Sequence, residues 1–309
     1  EREAELRFLR EAQVTGQLTH PNVMPVYDIG IDLEGHVFFT MKQVEGRSLR
    51  QLLNDGNAGS LVERLLVFRQ ICNALAFAHS RGVLHRDLKP ANVMVGQFGE
   101  VLVVDWGLCK VLGEKLEGYG YDAPDLNPSS LITHHGAVAG TPAYMAPEQA
   151  RGEIDALDPT TDIYSLGAML YTLLTEVSPF NGSTVEIIGA VTAGSFIPPA
   201  KRAPGKVPRE MNAIVMKAMA FEQKDRYPNV SALSADVQAF MEGKRVSVVK
   251  YSPLQRLGKW AARKRNVVRP VAFTAAFAFV LLVSGGIVHL NRLGRSEERR
   301  VGKECRSRW

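Results

Sequence analysis

Asp87, Lys89 and Asn92 crowd one short stretch, His85-Arg86-Asp87-Leu88-Lys89-Pro90-Ala91-Asn92, and Asp105 follows thirteen residues later, ahead of Trp106-Gly107. A carboxylate, an ammonium, a carboxamide and a second carboxylate at this spacing suit phosphoryl transfer. That reaction leaves the protein little covalent chemistry. It requires a group that orients the attacking hydroxyl, positive charge at the moving phosphate, and hard oxygen ligands for Mg2+. Asp87 suits the first task as a base, Lys89 the second, and Asn92 with Asp105 the third.

The surrounding pattern supplies elements to hold these groups. Residues 1–18 carry an apolar stripe (Leu6, Leu9, Ala12, Leu18) at helical spacing, broken by His20-Pro21-Asn22. Two strand-like runs, 23–31 and 36–44, flank the turn Asp32-Leu33-Glu34-Gly35, and a short helix is expected over 48–53. Residues 61–80 are apolar around much of the helix (Leu65, Phe68, Ile71, Leu75), which predicts deep packing. Short valine-rich runs at 93–95 and 101–104 read as a hairpin leading to Asp105. Residues 113–139 are polar, aperiodic and rich in Gly and Pro, hence a long loop, and helices are expected over 162–175, 187–193, 209–220 and 231–241.

Composition narrows the class. Of the 309 residues 46% are hydrophobic and the net charge is +5, with many basic residues placed after Lys244, beside an apolar run. That placement suits lipid headgroups, and no nucleic-acid partner is expected. Residues 271–290 contain no Asp, Glu, Lys or Arg and are long enough to span a bilayer. Arg256, Lys259, Arg263, Lys264, Arg265 and Arg269 precede this run, so the positive-inside rule puts the N-terminal side in the cytoplasm. Cys72, Cys109 and Cys305 form neither a disulfide framework nor a paired metal motif.

The run His85–Asn92 with Asp105-Trp106-Gly107 resembles H-R-D-L-x-x-x-N and D-F-G of the protein kinases, Trp106 standing for Phe. The resemblance extends over residues 1–243 and is to the bacterial eukaryotic-like (Hanks-type) transmembrane serine/threonine protein kinases. Gly140-Thr141-Pro142-Ala143-Tyr144-Met145-Ala146-Pro147-Glu148 resembles the substrate-docking segment that ends in A-P-E. Asp162-Ile163-Tyr164-Ser165-Leu166-Gly167 resembles the buried helix whose Asp braces the catalytic loop, and Lys224-Asp225-Arg226-Tyr227-Pro228 the segment whose Arg pairs with the A-P-E glutamate. Residues 8–12, with His20-Pro21-Asn22 after, resemble the small-lobe helix.

The resemblance implies an α+β fold of two lobes: a truncated small lobe over 1–44 and a mainly helical large lobe over 45–243. A basic juxtamembrane linker over 244–270, a transmembrane helix over 271–290 and a tail over 291–309 would follow. It implies ATP and Mg2+ as cofactors, with ATP, protein substrates and a lipid bilayer as partners. Glu11 would pair with the ATP-binding lysine, Met41 would be the gatekeeper, and Lys42 to Val44 would line adenine together with Met94. Arg86, Glu148, Asp162 and Arg226 would be structural. Lys89 followed by Pro90-Ala91 matches serine/threonine enzymes better than tyrosine kinases. Thr133, then Ser129 and Ser130, are the candidate phosphosites, with Arg86 placed to gather a phosphate.

The family's G-x-G-x-x-G-x-V loop and its ATP-binding lysine are not found in the sequence; both would precede Glu1, and truncation at the N-terminus is expected. Residues 295–309 have no apolar periodicity and read as the translation of a sequencing-adapter oligonucleotide. Two functions remain open: an active kinase, or a membrane-tethered pseudokinase that serves as a scaffold.

Overall fold

The structure, a computed structural model, describes residues 2–112, 142–253, 255, 256 and 284. Residues Glu1–Lys250 form one compact unit and Tyr251–Trp309 a second. In the second, Ser252 starts a helical turn, its carbonyl accepting from the Arg256 amide at 2.9 Å. Among the described residues no helix is long and apolar enough to cross a membrane. The span expected over 271–290 lies outside them apart from Ser284, as does the tail over 291–309.

The first unit opens with helix α1 (Arg2–Gln17), which buries Ala12 and Val14 and stops ahead of the His20-Pro21 break. An antiparallel hairpin follows, β1 (Val26–Ile31) and β2 (Val37–Met41). Its turn is held by Asp32, whose Oδ1 accepts from the amides of Glu34 and His36 at 2.9 and 2.8 Å. Gly30 lies opposite Phe38, and a methyl group there would come within 2.8 Å of the Phe38 ring.

Next come β3 (Gly46–Ser48) and α2 (Leu49–Asn54), with Ser48 capping the helix through a box with Gln51. Helix α3 (Leu61–Ser80) starts at a second capping box, Ser60 with Glu63, and buries Leu65, Phe68, Ile71 and Leu75. After β4 (Val83–Leu84), the chain forms β5 (Val93–Gly96), β6 (Val101–Val103) and β7 (Lys110–Val111). Strands β3, β5 and β6 make one antiparallel sheet in that order, and β4 pairs with β7.

The rest is helical: α4 (Pro147–Ala150), α5 (Pro159–Thr175), α6 (Thr184–Thr192), α7 (Pro199–Arg202), α8 (Arg209–Ala218) and α9 (Val230–Met241). Asp158 caps α5 and Pro159 occupies its first turn, so the helix begins where its free amides are satisfied. Every residue from Thr161 to Leu174 is buried, because α5 packs against both α3 and α8. At Gly167 a Cβ would meet Ala218 Cβ and Met219 Cγ, each at 2.8 Å, so glycine sets how closely α5 approaches the end of α8. This mainly helical block is the platform under the loop 85–92.

The sequence pattern over 23–31 predicts one strand, but Val23 instead makes a parallel bridge to Val103 and only 26–31 join the hairpin. Pro25, with no amide hydrogen, marks the change of partner.

Candidate functional site

The loop between β4 and β5 hangs from a single carboxylate. Asp162, fully buried on α5, accepts from the His85 amide (Oδ2, 2.9 Å) and the Arg86 amide (Oδ1, 2.9 Å). His79, at the end of α3, reaches the same Oδ2 at 2.7 Å. Burial would push the Asp162 pKa up; the bonds from His79 and the Arg86 amide, with the charge of His79, outweigh it and hold the group below its ordinary value.

His85 carries the support further. Its Nδ1 accepts from the Asp87 amide at 3.3 Å, which leaves the proton on Nε2, 3.2 Å from the Val104 carbonyl. The Trp106 ring packs against His85 at 4.6 Å between centroids, and its indole N–H donates to the Val103 carbonyl at 3.4 Å. The indole that stands for Phe is therefore wholly buried and has an acceptor.

On this support Asp87, Lys89 and Asn92 gather. Asp87 Oδ2 accepts from Lys89 Nζ at 2.5 Å and from Asn92 Nδ2 at 3.1 Å, and Asn92 Nδ2 also reaches the Asp87 carbonyl at 2.9 Å. Asp87 Oδ1 accepts no bond among the described residues, so it is the oxygen open to a hydroxyl. Both amide hydrogens of Asn92 turn toward Asp87, which leaves its carbonyl oxygen as the atom that can face a cation. The Val104 amide donates to the Asn92 carbonyl at 3.0 Å and ties this loop to the strand end that carries Asp105.

Asp105 is exposed, with φ of 65°. It and Glu11 flank Gly107: a Cβ there would lie 3.1 Å from Glu11 Oε2 and 3.6 Å from Asp105 Oδ1. Burial, and then the nearby Asp105 charge, push the Glu11 pKa up. Two carboxylates this close are hard-oxygen donors that fit a divalent cation such as Mg2+, which would relieve their repulsion.

The nucleotide-lining candidates are less enclosed. Met41 ends β2 and is 46% exposed. The Lys42 amide donates to the Pro25 carbonyl at 3.2 Å, so it is not free for a purine, and Lys42 Nζ approaches Glu100 at 3.7 Å. The Val44 amide donates to no group among the described residues. Met94 stands on β5 between Ser48 and Leu102. Thr133, Ser129 and Ser130 lie outside the described residues.

Glu148 and Arg226 form a two-pronged pair at 2.7 and 2.8 Å, with both side chains buried. Thr161 Oγ1 also donates to Glu148, and the remaining Arg226 donors reach the carbonyls of Thr160, Ala220 and Phe221. Burial alone would raise the Glu148 pKa; the Arg226 bonds and charge overcome this and lower it.

Several contributors have partners that the sequence does not reveal. Asn22 Nδ2 donates to the Val101 carbonyl at 2.9 Å and to Gln70 at 3.1 Å, while its carbonyl accepts from the Val103 amide at 2.8 Å. These bonds fasten the segment after α1 to the strand leading to Asp105. His79 gives no sign in the sequence that it faces Asp162. Gln149 and Lys110 likewise join segments far apart in the chain.

Fold and site together suit phosphoryl transfer, with the loop 85–92 clamped to a helical lobe. The family described as Protein kinase domain matches residues 1–259, and the chain belongs to that family. The serine/threonine-protein kinase PknD of Protochlamydia amoebophila is 40% identical over 254 residues, covering 77% of this chain and 26% of that protein. PknD of Chlamydia caviae is 38% identical over 252 residues, with the same coverage of 77% and 26%. PknD of Chlamydia trachomatis serovar L2b is 36% identical over 260 residues, covering 77% of this chain and 27% of the relative. The chain thus spans about a quarter of the length of these curated relatives.

Proposed function

We propose that the protein is a membrane-anchored serine/threonine protein kinase that transfers the γ-phosphate of ATP to protein hydroxyls. The observation that carries this reading is the Asp87 carboxylate: Lys89 and Asn92 hold one oxygen, and the other is open to a substrate hydroxyl. Asp87 orients that hydroxyl and receives its proton as the oxygen attacks phosphorus. Lys89 brings positive charge to the transferring group. Asn92 and Asp105 would hold Mg2+, which when bound spreads the charge of the β- and γ-phosphates. Arg86 would gather a phosphate on the segment that contains Thr133, Ser129 and Ser130. Met41, Lys42, Val44 and Met94 would line the purine, with Glu11 set for the ATP-binding lysine.

Anchoring rests on residues 271–290, which lack charged side chains and follow a basic stretch; the positive-inside rule keeps the kinase domain cytoplasmic. Residues 1–243 alone hold no Gly-rich loop and no lysine ahead of Glu11, so on their own they transfer slowly.

The test is phosphate incorporation from ATP into protein Ser and Thr by the full-length protein and its Asp87→Asn variant. Loss of incorporation in the variant, with folding retained, supports the reading. Nucleotide binding without transfer by the parent would favour the second reading, a membrane-tethered scaffold.

A further inference from the structure

Gln149 has no task in the mechanism above, yet its side chain joins two segments of the site. It is 5% exposed. Its Oε1 accepts from the Ala146 amide at 3.2 Å and its Nε2 donates to the Arg86 carbonyl at 2.9 Å. Its neighbour Glu148 points the other way, to Arg226 and Thr161. Helix α4 is therefore fastened on one side to the helical lobe and on the other to the catalytic loop.

The bond to Arg86 falls at a demanding place. Arg86 has φ of 69°, a left-handed backbone that a non-glycine residue keeps only where its surroundings impose it. The Arg86 carbonyl and the Asp87 amide belong to one planar peptide unit. Gln149 holds the oxygen of that plane and His85 Nδ1 accepts from its N–H. With both edges held, the plane cannot turn, and the direction in which the chain enters Asp87 is set.

We propose that Gln149 is a positioning residue for the catalytic base: through the Arg86 carbonyl it fixes the peptide plane that carries Asp87 and couples it to the substrate-docking segment at Ala146. The inference rests on the reading of Asp87 as the base. A carboxamide is required because the site asks one side chain to accept from Ala146 and donate to Arg86 at once. An ionised carboxylate would turn an oxygen toward the Arg86 carbonyl, whereas a protonated carboxyl would donate to it as the amide does.

The test uses Gln149→Met and Gln149→Glu in the full-length protein, with amide hydrogen exchange and pH-resolved kinetics. In Gln149→Met, exchange over residues 85–89 quickens, and kcat falls on the order of tenfold at every pH, the scale for losing one buried hydrogen bond. The KM for ATP stays within about twofold, since the nucleotide-lining groups are untouched. Gln149→Glu matches that loss at high pH, and its kcat relative to the parent recovers as pH falls and the new carboxyl protonates. A residue that merely filled space would give no such recovery.

Exchange over residues 85–89 equal to the parent's in both variants overturns the proposal, and so does a kcat ratio for Gln149→Glu that stays level across pH. Exchange reports the tie whether or not phosphate is transferred. A parent that transfers nothing therefore strikes only the functional reading, and leaves the position of the loop to be decided by exchange.

Discussion

The region beneath the loop 85–92 and the β1–β2 hairpin are built on opposite principles. Under the loop, Asp162, Glu148 and Arg226 are each less than about a twentieth exposed, and every hydrogen-bonding group of the Arg226 guanidinium has an acceptor. In the hairpin, Tyr27, Ile31 and Leu33 stand in solvent at 68%, 70% and 108% exposure, and the inward face includes Phe39 against Phe8, at 4.6 Å between rings. Buried charge pairs are poor sources of net stability but are severe when half broken. Exposed apolar side chains have gained nothing that a substitution could take away. The geometry of the site should accordingly depend on its interior supports and hardly at all on the hairpin's outer face.

The largest effect belongs to Asp87→Asn. The amide keeps the size of the side chain but cannot receive a proton, and kcat should drop by about a hundred- to ten-thousand-fold with the unfolding midpoint nearly unchanged. Steady-state transfer beside a thermal melt measures both. Arg226→Met comes next. It strands Glu148 in the interior and should cost about 3–5 kcal/mol in urea unfolding. A loss below about 1 kcal/mol would mean that water reaches the carboxylate and that the two regions differ less than their burial implies.

The same junction predicts an acid response. Glu148 and Asp162 both have folded pKa values below the ordinary ones. Such groups stabilise the fold above their unfolded pKa, near 4, and that contribution is lost as pH falls from about 5 through the folded values. Urea unfolding followed from neutral pH downward should show the decline. Glu148→Gln should flatten part of it, because one of the protons taken up on unfolding is gone.

Gly167→Ala probes the interior without charge. Helix propensity favours alanine by about 1 kcal/mol, but the new methyl would lie 2.8 Å from Ala218 Cβ, a short and unyielding group. Overpacking should win, with a net loss of about 1–2 kcal/mol. A stabilised variant would show that α5 and the end of α8 can separate freely.

How much of this was legible in the sequence depends on whether a residue's partner is near in the chain. The extent of α3 and the loop 85–92 with Asp105 are written in local spacing, and the expected short helix at 48–53 is observed at Leu49–Asn54. The ties that hold the site are not local. Asn22 finds its partners at Gln70 and Val101, His79 faces Asp162, and Gln149 reaches back to Arg86. An Asn after a proline or a Gln after a glutamate has many local uses, and only the packed lobe selects one. Trp106 shows the same limit: sequence asks that a buried indole find an acceptor, and the fold supplies Val103.

The smallest effect should come from Ile31→Thr in the 309-residue chain. Threonine keeps the β-branch that suits a strand, and Ile31 pairs with Val37 at the hairpin's end. With the side chain 70% exposed, little apolar area is withdrawn from water, so the change in unfolding free energy should stay within about 0.5 kcal/mol. Fully burying an isoleucine contributes about 1.5–3 kcal/mol, so a loss above about 1.5 kcal/mol in urea unfolding would require that this face be covered in solution. The outer hairpin would then belong with the interior supports, and the contrast between the two regions would fail at its weaker end.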